Sequence, residues 1–236
     1  MAKTNLNPKV LVISNLRTTG PLWAMNLQQL GNLNVVFEPI AENALSRFAE
    51  VIPNLIIMDV NLPDAATINL IRSLRNETTN PILLLTPDTT EGIMLAAYEA
   101  GVDQCIHKPI GPSLFQAIVK VWLKHCWTVS VEFLNPIRVG KFQLDPSERI
   151  FILENGSPIR LTNLELRLLY CLMSQPGMSM KTEDLIERLW GNCYAGDSNT
   201  LKNVVYRLRK KIEPDPARQV IIQTDASVGY RFASPG

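Results

Sequence analysis

Residues Asn54–Asp64 read NLIIMDVNLPD: an apolar run that ends on an aspartate, Asp59, and then breaks on Asn61, Pro63 and Asp64. A short unbroken apolar run bounded by turn residues suits a strand buried on both faces. Lys9–Leu16, KVLVISNL, and the ILLL run at Ile82–Leu85 repeat the pattern. Working outward, strands are expected at Val10–Ser14, Val35–Glu38, Leu55–Asp59, Pro81–Thr86 and Gln104–Ile106. Amphipathic helices alternate with them at Pro21–Leu30, Asn43–Ala49, Thr67–Leu74, Glu91–Ala100 and Ser113–Lys124. Such alternation implies right-handed crossovers and a five-stranded, doubly wound parallel sheet, an α/β domain. Reactive groups in these sheets collect beyond the carboxyl ends of the strands, where Ser14, Asn15, Asp59 and Thr86 lie.

With 236 residues, 46% of them apolar and 19% charged, the chain suits one or two ordinary globular domains. No apolar run approaches the roughly 18 residues of a membrane span, and no signal-peptide pattern opens the sequence. Cys105, Cys126, Cys171 and Cys193 are widely spaced and form no C-x-x-C, so no zinc or disulfide framework is expected. A reducing, cytoplasmic setting without a membrane partner follows. The net charge of +1 hides a concentration: Asp197–Ile212 carries five basic side chains and one acid. That local excess predicts a polyanion-binding surface.

The pattern changes near Cys126, which sets the expected domains at 1–126 and 137–236, with a linker at 127–136. Short alternating strands fill Ile137–Leu161, with Asn155-Gly156 as a hairpin signal. Thr162-x-x-Glu165 is a capping box opening a helix to about Gln175. Further helices are expected at Thr182–Trp190 and Ser198–Ile212, followed by a strand, a turn and a strand over Val220–Ala233. Three helices between a small sheet and a closing hairpin describe a winged helix, an α+β domain elaborating the helix-turn-helix.

On the helix Ser198–Ile212, advancing about 100° per residue places Leu201, Val205, Leu208 and Ile212 on one stripe. Opposite lie Asn199, Asn203, Tyr206 and Lys210, with Arg207 close by. Lys202 and Arg209 flank one side, Thr200 and Lys211 the other. Amides and arginines can read base edges in a major groove, and the remaining cations can neutralise phosphates. The bland alternative is a solvated basic face on a structural helix. The third position in the pattern, before a strand-turn-strand, favours DNA.

The motifs LTNLELRLL, LIERLWG, LRKKIEPDPARQ and GYRF closely resemble the effector domain of OmpR/PhoB-type response regulators, and the first half resembles the receiver domain of that family. The resemblance implies a receiver sheet of order 2-1-3-4-5, a homodimer, binding to direct repeats in double-stranded DNA, and a polymerase-contacting loop at Gly191–Asp197. The wing departs from the family: DASVGY offers Ala226 and Ser227 where an arginine is usual, and Asp225 adds a negative charge. Wing contacts are therefore expected to be weaker, or to come from Arg218, Gln223 and Thr224, and Tyr230 is a further expected DNA contact. On the helix, Asn199 and Val204 replace a common arginine and histidine, so sequence preference is expected to differ.

The family's phosphoacceptor aligns with Asp59, and its metal-binding acid pair aligns with Ser14 and Asn15. Thr86 and Lys108-Pro109 match the usual hydroxyl and lysine, whereas Cys105 replaces an aromatic switch residue. Hard cations need several oxygen ligands, so Asp59 alone would hold Mg²⁺ only weakly, and no cofactor is expected. Lys108 is then free to pair with Asp59, with Arg17 a second candidate. Three readings stay open: a receiver fixed without phosphorylation, one phosphorylated weakly with Asn15 as a neutral ligand, and a strand-end carboxylate with no role. Relatives pair through their fourth and fifth helices. Here Asp103, Ile118, Lys120 and Trp122 mark the expected dimerisation face, more apolar than usual and suited to standing pairing. No activated nucleophile or metal cluster suggests an enzyme. An adaptor contacting the transcription machinery is the remaining alternative, and a cognate sensor kinase stays undetermined.

Overall fold

A computed structural model describes residues 7–127, 135–190 and 198–233, with side chains described to Leu123 in the first of these. The chain forms two compact units, Met1–Leu123 and Lys124–Gly236. The expected linker falls largely, and the expected polymerase loop entirely, outside the described residues.

In the first unit, β1 (Lys9–Ile13), β2 (Asn34–Glu38), β3 (Leu55–Asp59), β4 (Ile82–Thr86) and β5 (Gln104–His107) form one sheet of order β2-β1-β3-β4-β5. Every pairing is parallel. All five residues of β3 and of β4 are buried, which is why both read as unbroken apolar runs. The helices are α1 (Thr19–Gln28), α2 (Ala44–Val51), α3 (Ala65–Glu77), α4 (Glu91–Ala100) and α5 (Pro112–Trp127). Helix α1 starts two residues earlier than expected, because a proline is tolerated within a first turn. Helix α3 also starts early: Asp64 caps it, accepting from Thr67 N at 2.8 Å. That cap is visible in the sequence as an Asp before a helical run.

Two residues of the expected dimerisation face are interior. Asp103 is buried, and its carboxylate accepts from the Arg75 guanidinium at 2.6 Å and from Ile82 N at 2.8 Å. Arg75 also donates to the carbonyls of Thr78, Asn80 and Gly101. Gly101 sits at φ 116°, and a side chain there would strike Arg75. Trp122 is buried, with its indole N–H donating to Gln104 Oε1 at 2.6 Å. The resemblance places both on a pairing face, but the sheet claims them first: Asp103 anchors the start of β4, and Trp122 packs α5 on β5. Ile118 stays half-buried and Lys120 exposed.

The second unit opens with a four-stranded antiparallel meander, β6 (Ile137–Val139), β7 (Phe142–Asp145), β8 (Ile150–Ile152) and β9 (Pro158–Arg160). Gly156, at φ 80°, turns the β8–β9 hairpin, with its N–H on the Leu153 carbonyl at 2.9 Å. Helix α6 (Asn163–Met173) begins with the capping box: Thr162 accepts from Glu165 N, and Glu165 accepts from Thr162 N at 2.8 Å. Helices α7 (Thr182–Trp190) and α8 (Ser198–Ile212) follow. Between α6 and α7 runs a two-residue strand, β10 (Met180–Lys181), too short to give a periodic signal. It pairs with β12 (Gly229–Phe232), which also pairs with β11 (Ile222–Asp225), giving the order β10-β12-β11. Gly229 allows this crossing, since any side chain there would run into the Met180 carbonyl oxygen.

Candidate nucleic-acid interface and acid pocket

Asp59 ends β3 with no solvent exposure, and both of its oxygens carry proton donors. Oδ1 accepts from Lys108 Nζ at 2.6 Å. Oδ2 accepts from Ser14 Oγ at 3.0 Å and from Thr19 Oγ1 at 2.6 Å. Ser14 is fixed in turn by Leu16 N, which donates to its hydroxyl at 3.1 Å. The Lys108-Pro109 peptide is cis. Thr86, fully buried, accepts from Asp88 N at 3.2 Å and faces the Asn61 carbonyl. Asn15 and Arg17 are exposed, and neither is among the partners of Asp59.

Thr19 was not foreseen. Its approach depends on Gly20, where a side chain would meet Phe37 and Ser14 at 2.8 Å, so α1 presses closely on the ends of β1 and β2. A Thr-Gly pair shortly after a strand was the only local clue. The donor set does not fit a hard divalent cation, which wants several anionic or carbonyl oxygens around it. Here one carboxylate is offered, and its lone pairs already take an ammonium and two hydroxyls. The neighbouring acid Glu38 is committed elsewhere, accepting from Arg47 at 3.1 Å.

In the second unit, α8 buries a wider stripe than expected. Val204 joins Leu201, Val205, Leu208 and Ile212 in the core. Positions 200, 204 and 207 stand at helical spacing and form a second inward row, which the exposed Lys211 continues. This row corrects two of the expected DNA contacts. Thr200 is 2% exposed and Arg207 6%. Lys211, at the end of the row, donates to the buried Glu165 carboxylate at 2.7 Å and reaches the Arg160 carbonyl. The face left outward is Asn199, Lys202 and Lys210, exposed, with Asn203 and Tyr206 half-buried. Lys210 Nζ lies 5.3 Å from the Tyr206 ring centroid, holding that ring against a cation.

Arg209, on the flank, is an internal strut. It donates to the Ile222 carbonyl at 2.8 and 3.1 Å, to Thr224 Oγ1 at 2.8 Å and to Gln219 Oε1 at 3.2 Å. It also lies over the Tyr230 ring, 5.8 Å from its centroid. Tyr230 is therefore a packing residue at the wing root, corrected from an expected DNA contact, and burial raises its phenol pKa. Thr224 is exposed, with its oxygen engaged by Arg209. At the wing turn, the Asp225 carboxylate accepts from Ser179 and Ser227, which hold its pKa below the usual carboxylate range. The turn therefore carries a fixed negative charge.

These rows predict a separable outcome. Lys210→Ala should weaken binding to any duplex and reduce the salt slope by about one counterion. Lys211→Ala should leave the slope nearly intact and lower the melting temperature instead, because it strips a buried carboxylate of its partner. Fluorescence anisotropy across a salt series, with thermal melts, checks both.

A buried strand-end aspartate held by a lysine in a 2-1-3-4-5 sheet, ahead of a winged helix with a basic outward helix face, defines a DNA-binding response regulator. The chain belongs to the OmpR/PhoB-type response-regulator family: residues 10–120 match the response regulator receiver domain, and 156–232 match the transcriptional regulatory protein C-terminal domain. It is 33% identical over 181 residues to the KDP operon transcriptional regulatory protein KdpE of Escherichia coli, covering 76% of this chain and 79% of that protein. It is 29% identical over 228 residues to the transcriptional regulatory protein AfsQ1 of Streptomyces coelicolor, covering 97% and 99%. Among solved structures, a RitR mutant shares the fold at a TM-score of 0.73 and 20% identity, covering 96% of this chain and 99% of that one. No helix among the described residues is long and apolar enough to cross a membrane.

Proposed function

We propose that this transcription regulator works without Mg²⁺-dependent phosphorylation of Asp59, as a standing dimer that reads double-stranded DNA through Asn199, Lys202, Asn203, Tyr206 and Lys210. The observation that carries the first part is the carboxylate already engaged by three donors. Ser14 occupies the position of a metal-binding acid and, with Thr19, donates into Asp59 while Lys108 neutralises it. A carboxylate whose oxygens are already engaged by an ammonium and two hydroxyls is a poorer nucleophile, because attack must first break those hydrogen bonds. Control then passes to pairing and partners, with Ile118 and Lys120 on the pairing face, direct-repeat sites as the DNA target and RNA polymerase as the downstream contact.

The test is intact-mass spectrometry of the full chain after incubation with acetyl phosphate and Mg²⁺. No phosphoryl adduct is expected, and DNA affinity of Asp59→Asn should match wild type. An adduct on wild type that disappears in Asp59→Asn would overturn the proposal.

A further inference from the structure

We infer that the first unit carries a binding site for a small amphipathic amine in the crevice between α2 and α3. The crevice opens at the carboxyl ends of β1 and β3, beside the Asp59 cluster, and holds about 390 Å³. That volume lies within the range of roughly 300–1,000 Å³ typical of small-ligand sites. Its place also fits: the chain leaves β1 toward β2 on one side and returns to β3 on the other. Where connections diverge in this way, an open α/β sheet leaves a crevice for a ligand.

The lining divides by chemistry. Ile13 and Met58 from the sheet, with Val60 and Leu70 beside them, make an apolar floor. Asn15, Glu42 and Asp64 stand on the rim, all exposed. The side chains of Asn15 and Glu42 take no hydrogen bond or ion pair among the described residues. Thr67 donates twice to the Asp64 carboxylate, which lowers its pKa and keeps it charged. No lysine or arginine lines the crevice. Two acids without a cation over an apolar floor select a positively charged head on an apolar body and reject an anion.

Ser14 forms part of the same wall and donates to Asp59 at 3.0 Å. A seated ligand therefore touches the residue that holds the acid. This names a chemical input in place of the phosphoryl group, and only that regulatory role rests on the preceding reading. The site itself stands on the crevice.

The experiment titrates tryptamine, neutral 3-ethylindole and anionic indole-3-propionate into the full chain without any phosphodonor. Calorimetry and the Met58 methyl resonance report binding. Tryptamine should saturate one site with Kd on the order of 1 mM or tighter, as expected for a ligand of about a dozen heavy atoms. Indole-3-propionate should not bind, and Glu42→Gln with Asp64→Asn should weaken the amine about tenfold, Asn retaining the helix cap. Ala66 is exposed on the crevice wall, so Ala66→Phe should abolish binding while leaving the melting temperature unchanged. If that variant melts early, Ser73→Tyr replaces it as the blocking change. Equal binding of the propionate, binding that survives the blocking variant, or no saturation by about 10 mM tryptamine would each overturn the site. Tryptamine binding together with a phosphoryl adduct on Asp59 would refute the preceding reading and leave this one standing.

Discussion

Arg75→Ala is expected to cost the first unit about 3–5 kcal/mol, the range for removing one partner of a buried ion pair. The guanidinium holds the end of α3, the turn at Gly101 and the start of β4 together, through Asp103 and three backbone carbonyls. Truncation strips the buried Asp103 carboxylate of its guanidinium and leaves the carbonyls short of a donor. Arg75→Lys should recover less than half of the loss, because a point charge cannot span the same fork of acceptors. Hydrogen exchange read by mass spectrometry on peptides from β4 and β5 isolates this unit from the other. A loss below about 1 kcal/mol would mean the guanidinium is dispensable and the turn is held by packing alone.

Glu213→Gln should be nearly as damaging in the second unit. The carboxylate is 7% exposed, at the end of α8, and accepts from the backbone N–H groups of Val220, Ile221 and Ile222 at 2.8–3.0 Å. A glutamine has one acceptor oxygen and presents an amide N–H₂ to donors that need an acceptor. Hydrogen bonds to a charged group are worth about 1.5–3 kcal/mol each, so losing one or two gives an expected cost of about 2–4 kcal/mol. The damage should extend to function, because Glu213 fixes Ile222, whose carbonyl anchors Arg209 beneath the wing. DNA affinity at fixed salt should fall together with the melting temperature of the unit. A variant that melts early yet binds normally would show that the wing root does not set the reading helix.

Much of this was legible in the residues. The fully buried strands β3 and β4 announced themselves as apolar runs, and the capping box at Thr162–Glu165 formed as spaced. The pairing of Asp59 with Lys108 followed from the missing acids after β1. What failed was resolution at the edges of helical stripes. A wheel drawn on four apolar positions left Thr200 and Arg207 outside, whereas Val204 widened the buried face and took them in. A threonine and an arginine carry no periodic signal of burial, so only the neighbouring valine could have warned of it. Thr19, Arg75 and Glu213 were missed for a related reason. Thr19 reaches Asp59 and Arg75 reaches Asp103 across the fold, 40 and 28 residues away, and Glu213 folds back on amides seven to nine residues ahead, separations that no helical or strand period reports.

Strand β12 has a consequence for the order in which the chain is made. It is the middle strand of its sheet, and Phe232 within it is fully buried, edge-on to Phe142 of the opening meander. One late segment therefore fastens both the β10 edge and the first sheet. Helices α6, α7 and α8 leave the ribosome before it, with their apolar faces still lacking the strand that covers them. Closing contacts at such sequence separation is slow and leaves apolar surface exposed meanwhile. Helix α8 is thus complete as a sequence before β12 is there to hold it as a structure.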